Sequence, residues 1–207
     1  MKTVEVITIP VGCLQTNCYV VTNGDHCIVV DPGGDYEKIS AIITRRGCKP
    51  DSVLLTHGHF DHISALMPFA ESGCKVFIHK DDAYMLSHED NLATSMGMPT
   101  LSLPTPDVLI DDGDLLTIGE MSIRVLHTPG HTMGSCCYDL DGQYLFSGDT
   151  LFYHSFGRTD FPGGDPRKMV FSLKKVFSLA GERVVFPGHG RQSILSEERE
   201  YFADWLL

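Results

Sequence analysis

Hydrophobic and polar positions alternate through most of the first 80 residues in two different rhythms. Val4–Pro10, Cys18–Thr22 and Cys27–Asp31 are short runs rich in β-branched and aromatic residues, divided by turn residues such as Asn23-Gly24, and they predict strands. Asp31-Pro32-Gly33-Gly34-Asp35 then reads as a loop feeding a helix with Ile39, Ile42 and Ile43 on one side, ended by Gly47. Ser52–Leu55 reads as a buried strand, Ile63–Glu71 as a helix stopped by Gly73, and Val76–His79 as another strand. Residues 88–107 lose the rhythm. Met96, Met98, Pro99, Pro104 and Pro106 predict a long surface loop of the kind that walls a binding site.

The second half repeats the theme. Strands are predicted at Val108–Ile110, Leu115–Ile118, Met121–Leu126, Ser135–Leu140, Tyr144–Ser147 and Arg183–Phe186. Asp165-Pro166 opens a helix to about Leu179, with proline at its favoured first position, and Ser196 begins a last helix that takes in Trp205. Both halves run strands first and helix after, which predicts two sheets face to face with helices outside.

The length of 207 residues fits one domain spanning 1–207. No run reaches the length of a membrane-spanning helix, and the N-terminus has no signal-peptide pattern, so a cytoplasmic location is expected. Seven cysteines without a Cys-x-x-Cys pair read as reduced thiols, with Cys136 and Cys137 on opposite faces of a strand. A net charge of −11 without a basic stripe argues against a nucleic-acid partner.

Chemistry enters at residues 56–62, Thr-His-Gly-His-Phe-Asp-His. His57 and His59 share a side of an extended segment, Asp61 and His62 aim nearby, and Gly58 would let the backbone pass close to an ion. Imidazole and carboxylate together suit zinc, iron or manganese. Three further predicted strands run into a ligand type: Ile123–Leu126 into His127-Thr-Pro-Gly-His131, Tyr144–Phe146 into Ser-Gly-Asp149, and Val184–Phe186 into Pro-Gly-His189. If these edges lie together, the side chains form two adjoining metal positions. His26, His79 and His88 read as structural or solvated, and His127 as a support behind the metal shell rather than a ligand.

His57-x-His59-x-Asp61-His62, then His131, Asp149 and His189, resembles the signature of the metallo-β-lactamase-fold hydrolases. Asn17-Cys-Tyr, Asp31-Pro-Gly-Gly, Asp149-Thr-Leu-Phe and Gly157-Arg-Thr-Asp-Phe-Pro-Gly-Gly resemble the glyoxalase II-like (hydroxyacylglutathione hydrolase-like) branch, over nearly the whole chain. The resemblance implies an α/β fold, an αβ/βα sandwich of two mixed sheets. It implies two divalent ions, zinc first, with iron or manganese as alternatives. His57, His59 and His131 would hold one ion, Asp61, His62 and His189 the other, and Asp149 would bridge them. It further implies hydrolysis of an acyl-thioester such as S-D-lactoylglutathione by metal-bound hydroxide, with Asp61 orienting the nucleophile.

Full-length glyoxalase II proteins carry a C-terminal helical domain that helps hold glutathione. This chain ends 18 residues after His189, so those contacts are expected to be missing, and a short single-domain form fits better. Arg158, Tyr153 and His154 are candidates for the mouth of the site. The main alternative is a mononuclear iron persulfide dioxygenase acting on glutathione persulfide. β-Lactamases of the fold, lactone-cleaving relatives, nucleases and flavodiiron proteins match less well, and a non-catalytic scaffold would be expected to have lost a ligand. The oligomeric state is not legible from the sequence.

Overall fold

The computed structural model describes residues 3–24 and 26–204. The chain begins with β1 (Glu5–Val11), β2 (Thr16–Thr22) and β3 (His26–Val30), then α1 (Tyr36–Arg46) and β4 (Lys49–Leu54). Two short helices follow, α2 (Phe60–Ile63) and α3 (Leu66–Glu71), and then β5 (Lys75–His79) and β6 (Val108–Ile110). The second half holds β7 (Leu115–Ile118), β8 (Met121–His127), β9 (Cys136–Leu140), β10 (Tyr144–Gly148), α4 (Pro166–Phe177), β11 (Val184–Pro187), β12 (Ser193–Ile194) and α5 (Leu195–Tyr201).

The strands form two six-stranded sheets, ordered β1-β2-β3-β4-β5-β6 and β12-β11-β10-β9-β8-β7. Both are mixed: β3 through β6 are parallel to one another and β10 is parallel to β11, while the remaining pairs are antiparallel. This is the two-sheet α/β sandwich expected from the sequence.

Period-2 alternation sorts each buried strand between two cores. Val20, Val29 and Val53 face α1 and α3, where they meet Ile39, Ile43, Leu66 and Phe69. Their neighbours Val21, Ile28 and Leu54 face the second sheet, against Ile123, Tyr138 and Phe146. A third cluster, including Leu145, Val185, Leu173 and Phe202, lies between the second sheet and α4 and α5. Cys136 belongs to the inter-sheet core and Cys137 to the helix-side core, so the adjacent thiols do face opposite ways. All seven cysteines are unpaired.

Local signals end the helices where expected. Gly47 caps α1 in the left-handed region at φ 68°. Asp165 caps α4, accepting from the N–H groups of Arg167 and Lys168, with Pro166 in the first turn. The expected helix over Ile63–Glu71 is instead broken at Ser64–Ala65. Pro68 explains the break, because its ring cannot share a regular helix with the carbonyl four residues back, at Ser64. The earlier piece, α2, therefore carries Asp61 and His62 as a separate short helix. The loop over 88–107 contains two 3₁₀ turns, Glu89–Asn91 and Thr94–Met96. The last helix, α5, ends at Tyr201, and Trp205, which the sequence reading placed in it, lies outside the described residues. Among those described, no helix is long and apolar enough to cross a membrane.

Candidate metal centre

β4 delivers His57 and His59 from the first sheet, and α2 follows with Asp61 and His62. β8, β10 and β11 deliver His131, Asp149 and His189 from the second. The two sheets are pinned together at this edge. Asn17 of β2 donates through its side-chain amide to the carbonyls of Pro187 and Gly190, and Tyr138 of β9 donates to Leu55 O at 2.7 Å.

The donor atoms form interlocking groups within 4.8 Å: His57, His59 and His131; His57, His62 and Asp149; Asp61, His62 and His189. Asp149 Oδ2 is 3.4 Å from His131 Nε2 and 3.6 Å from His189 Nε2, so one carboxylate touches both halves of the cluster. His189 Nε2 is 3.2 Å from Asp61 Oδ2, and His62 Nε2 is 3.5 Å from it. All but His189 are buried.

Cations fit this set on three grounds. His57 Nε2, His59 Nε2, His62 Nε2 and Asp149 Oδ1 are buried and lack a hydrogen-bond partner, a costly state that coordination at His57, His62 and Asp149 would relieve. The donors are imidazole and carboxylate, suited to divalent first-row metals. Outer contacts also fix which nitrogen faces inward. His131 Nδ1 donates to Arg158 O at 2.7 Å and His62 Nδ1 donates to Asp31 Oδ2 at 2.8 Å, which leaves both Nε2 lone pairs aimed at the cluster.

The electrostatics agree. Burial and the neighbouring imidazoles hold His57 well below the usual histidine range and His59 down at about 3, so both stay neutral and able to ligate. Burial opposes charge on Asp149, yet His62, His131 and His189 outweigh it and keep the carboxyl below its ordinary value. Asp61 is likewise lowered against burial by His62, His189 and Thr16. Burial disfavours charge on His62, but Asp61, Asp31 and Asp149 win and raise it. His189 is raised in the same way by Asp61 and Asp149.

These shifts set a pH dependence for the metal-free protein. Lowered carboxyls contribute stability above their ordinary value, near 4, and lose it as pH falls through the folded value; raised histidines contribute below about 6.5 and lose it as pH rises through theirs. The lowered His57 and His59 cost stability as pH falls below about 6.5, where only the unfolded chain protonates them, so metal-free protein is expected to have its highest Tm near pH 6.5. Metal-loaded protein should gain stability from pH 6 to 8, because metal competes with protons for the imidazoles. Thermal melts with and without chelator check both slopes.

Other sequence-derived candidates are placed differently. Tyr153 and His154 do not line the mouth. Arg191 lies 3.5 Å over the Tyr153 ring, Tyr153 stacks on His154, and His154 stacks on Tyr201. That column ties the segment after β10 to α5. Arg158 does line the cavity above the cluster, as do Leu92, Ser95 and Met96 of the irregular loop. His127 stacks on His79 at 4.0 Å and lies 2.9 Å from Met133 O, rather than backing the ligands. Gly58 makes room for Met85 and Asp82, not for an ion: an added Cβ would sit 2.6 Å from Met85 Cβ.

Two buried aspartates were not legible as site residues. Asp31 accepts from Thr56 N, Thr56 Oγ1 and His62 Nδ1, and so holds both ends of the 56–62 segment. Asp82 accepts from Gly58 N, Thr132 Oγ1 and Gly134 N, joining the two histidine loops. The Asp31-Pro-Gly-Gly word was the one local signal for the first; the second had none. Asp31→Asn keeps the shape and removes the carboxylate behind His62. It is expected to weaken metal binding at the Asp61–His62–His189 group roughly 10–100-fold, measured by competition with a chromogenic chelator.

The sequence profile of the metallo-beta-lactamase superfamily matches residues 11–189. The chain belongs to that superfamily. Among its relatives, the probable metallo-hydrolase YqgX of Bacillus subtilis is 35% identical over 195 residues, covering 91% of this chain and 92% of YqgX. Hydroxyacylglutathione hydrolase GloC of Haemophilus influenzae is 29% identical, covering 92% of this chain and 93% of GloC. Two solved structures superpose closely. The BLEG-1 B3 metallo-β-lactamase has TM-score 0.90 at 35% identity, covering 95% of this chain and 97% of BLEG-1. TTHA1623 in a di-iron-bound form has TM-score 0.85 at 36% identity, covering 94% of this chain and 97% of its own. The chain is thus a member of a metallo-hydrolase superfamily with a His/Asp cluster for divalent ions.

Proposed function

We propose that this protein is a metal-dependent thioester hydrolase with two ions at the cluster, zinc first and iron next. The observation that carries the reading is Asp149, whose carboxylate lies against both histidine groups at the floor of an open cavity. His57, His59 and His131 would hold one ion and Asp61, His62 and His189 the other, with Asp149 between them. Bound ions there supply Lewis acidity and bring the pKa of water from about 16 toward about 7.

The chain's own residues do the positioning. Asp61 accepts from Thr16 Oγ1 at 2.8 Å, which fixes its carboxylate beside His62 and His189 and lets it orient a water in the cavity. Arg158 O holds the His131 ring through Nδ1. A thiol is acidic enough, with pKa about 8.5, to leave as the thiolate, so no strong general acid is needed opposite the nucleophile. The relatedness to GloC supports a glutathione thioester such as S-D-lactoylglutathione as the first substrate to try, and the TTHA1623 name supports iron as a metal this scaffold accepts.

A second reading, β-lactam hydrolysis, is favoured by the high similarity to BLEG-1, although the sequence placed β-lactamases further away. One panel separates the readings. Protein purified without added metal is assayed for metal content, for hydrolysis of acyl-glutathione thioesters and a cephalosporin, and for oxygen uptake with glutathione persulfide. Thioester cleavage that chelator abolishes and metal restores supports the proposal. Untouched thioesters overturn it, and oxygen uptake with a single iron identifies the dioxygenase alternative.

A further inference from the structure

The cavity above the cluster encloses about 500 Å³. Its floor is the polar set of His59, Asp61, His131, Asp149 and His189. Apart from Ser95, Gly157 and Arg158, its walls are hydrocarbon: Leu14, Phe60, Leu92, Met96, Phe152 and Phe161. Two of these sit at the mouth with much of their surface in water, Leu14 at 42% and Met96 at 54% exposure. An apolar lining that reaches from the floor to solvent is the pattern of a binding cleft, not of a fold's core.

The wall is also held in place at a conformational cost. Leu92 sits at φ 68°, a left-handed conformation that glycine accepts and a bulky side chain resists. The buried Asn91 side chain stabilises that turn, donating to Met85 O at 3.0 Å and accepting from Ala93 N. Positive charge is scarce around the cavity. Apart from histidines, Arg158 is the cationic lining residue, and its guanidinium forks onto Asp160 through two bonds of 2.6 Å while lying 4.0 Å over the Phe161 ring. Its charge is already balanced, so the walls offer little to a carboxylate-bearing group such as glutathione.

We infer that the cavity selects thioesters whose acyl part is hydrocarbon, an alkyl chain or an aryl ring, over small hydroxyacyl groups such as lactoyl. This rests on the thioesterase reading. The reacting carbonyl carbon must lie at the floor, so the groups beside it meet the walls. Biological thiol carriers bear polar amide arms, and the acyl side is the half of such a substrate that can match hydrocarbon walls. The thiol arm leaves through the mouth into solvent. Hydrolysis adds water across the C–S bond: the acyl carbon takes the hydroxyl and becomes a carboxylate, and sulfur leaves with the bonding pair as a thiolate or thiol.

The test is a chain-length series on metal-loaded protein. Acetyl, butyryl, hexanoyl and octanoyl thioesters of glutathione are compared with S-D-lactoylglutathione, in wild type and in the double variant Leu14→Ser/Met96→Ser, both exposed positions whose change leaves the core intact. Each added methylene is expected to raise kcat/KM by roughly three- to fourfold until the cavity is filled. The variant should flatten that slope, losing a larger factor in kcat/KM on the octanoyl than on the acetyl thioester. In parallel, calorimetry with S-methyl- and S-octylglutathione, which cannot be hydrolysed, should show tighter binding of the octyl compound. A flat or falling slope, lactoyl preferred over butyryl, or equal binding of the two thioethers overturns the inference while leaving thioesterase activity standing. No cleavage of any thioester instead removes the reading beneath it.

Discussion

Asp149→Ala is expected to lower thioester turnover by more than about a thousandfold and to reduce bound metal below two per chain. The expectation follows from position. Asp149 Oδ1 is 3.4 Å from His62 Nε2, and Oδ2 is 3.4 Å from His131 Nε2. No other carboxylate in the cluster reaches both sides: Asp61 lies against His62 and His189 alone. Removing Asp149 also leaves positive charge on His62 with less to balance it, since Asp149 is one of three carboxylates that raise that group. The fold itself should survive, because the side chain belongs to none of the three apolar clusters. Circular dichroism unchanged from wild type, with activity lost and metal content reduced, is the predicted outcome. Wild-type turnover in the variant would remove the bridging role.

Gly33→Ala carries the second large effect, this time on stability. A Cβ at Gly33 would overlap the backbone carbonyl of Asp61, and it would also lie 3.2 Å from His62 N. The neighbour is main chain, so no rotamer change relieves the overlap, and α2 must move with the two ligands it carries. A cost of about 3 kcal/mol is expected, a Tm drop of roughly 6–12 °C for a domain of this size. Gly47→Ala is the control. Gly47 is in the left-handed region at φ 68° with nothing within 4 Å of an added Cβ, so only the conformational penalty of about 1 kcal/mol applies. Melts of the two variants side by side separate close approach from backbone preference. Equal Tm values would contradict the packing argument.

The pattern of the chain carried most of the strands because strands that fill a core on each face read as short, nearly continuous apolar runs. Val20 and Val21, or Leu145 and Phe146, must face opposite ways for both cores to fill. The ligand side chains were legible for a related reason: each follows a strand end, where small residues and proline release the backbone. What stayed hidden depends on long-range partners. Asp31 and Asp82 act on residues 24 and more positions away, and no local spacing encodes that. Tyr153 and His154 looked like mouth residues by nearness to Asp149 in sequence. His154 takes φ 52° and donates its N–H to Glu198, which turns both rings toward α5. Strand adjacency was also beyond the sequence. Only the sheet order brings β10 and β11 together as parallel neighbours, setting Asp149 beside His189.

If the seven side chains form two adjoining ligand sets joined by Asp149, each set holds its own ion. Metal counting by elemental analysis tests it most directly, on wild type and on His131→Ala and His189→Ala after saturation with zinc and removal of the excess. Two ions per chain are expected in wild type and close to one in each single variant. One ion in wild type, lost by His131→Ala and untouched by His189→Ala, would contradict it.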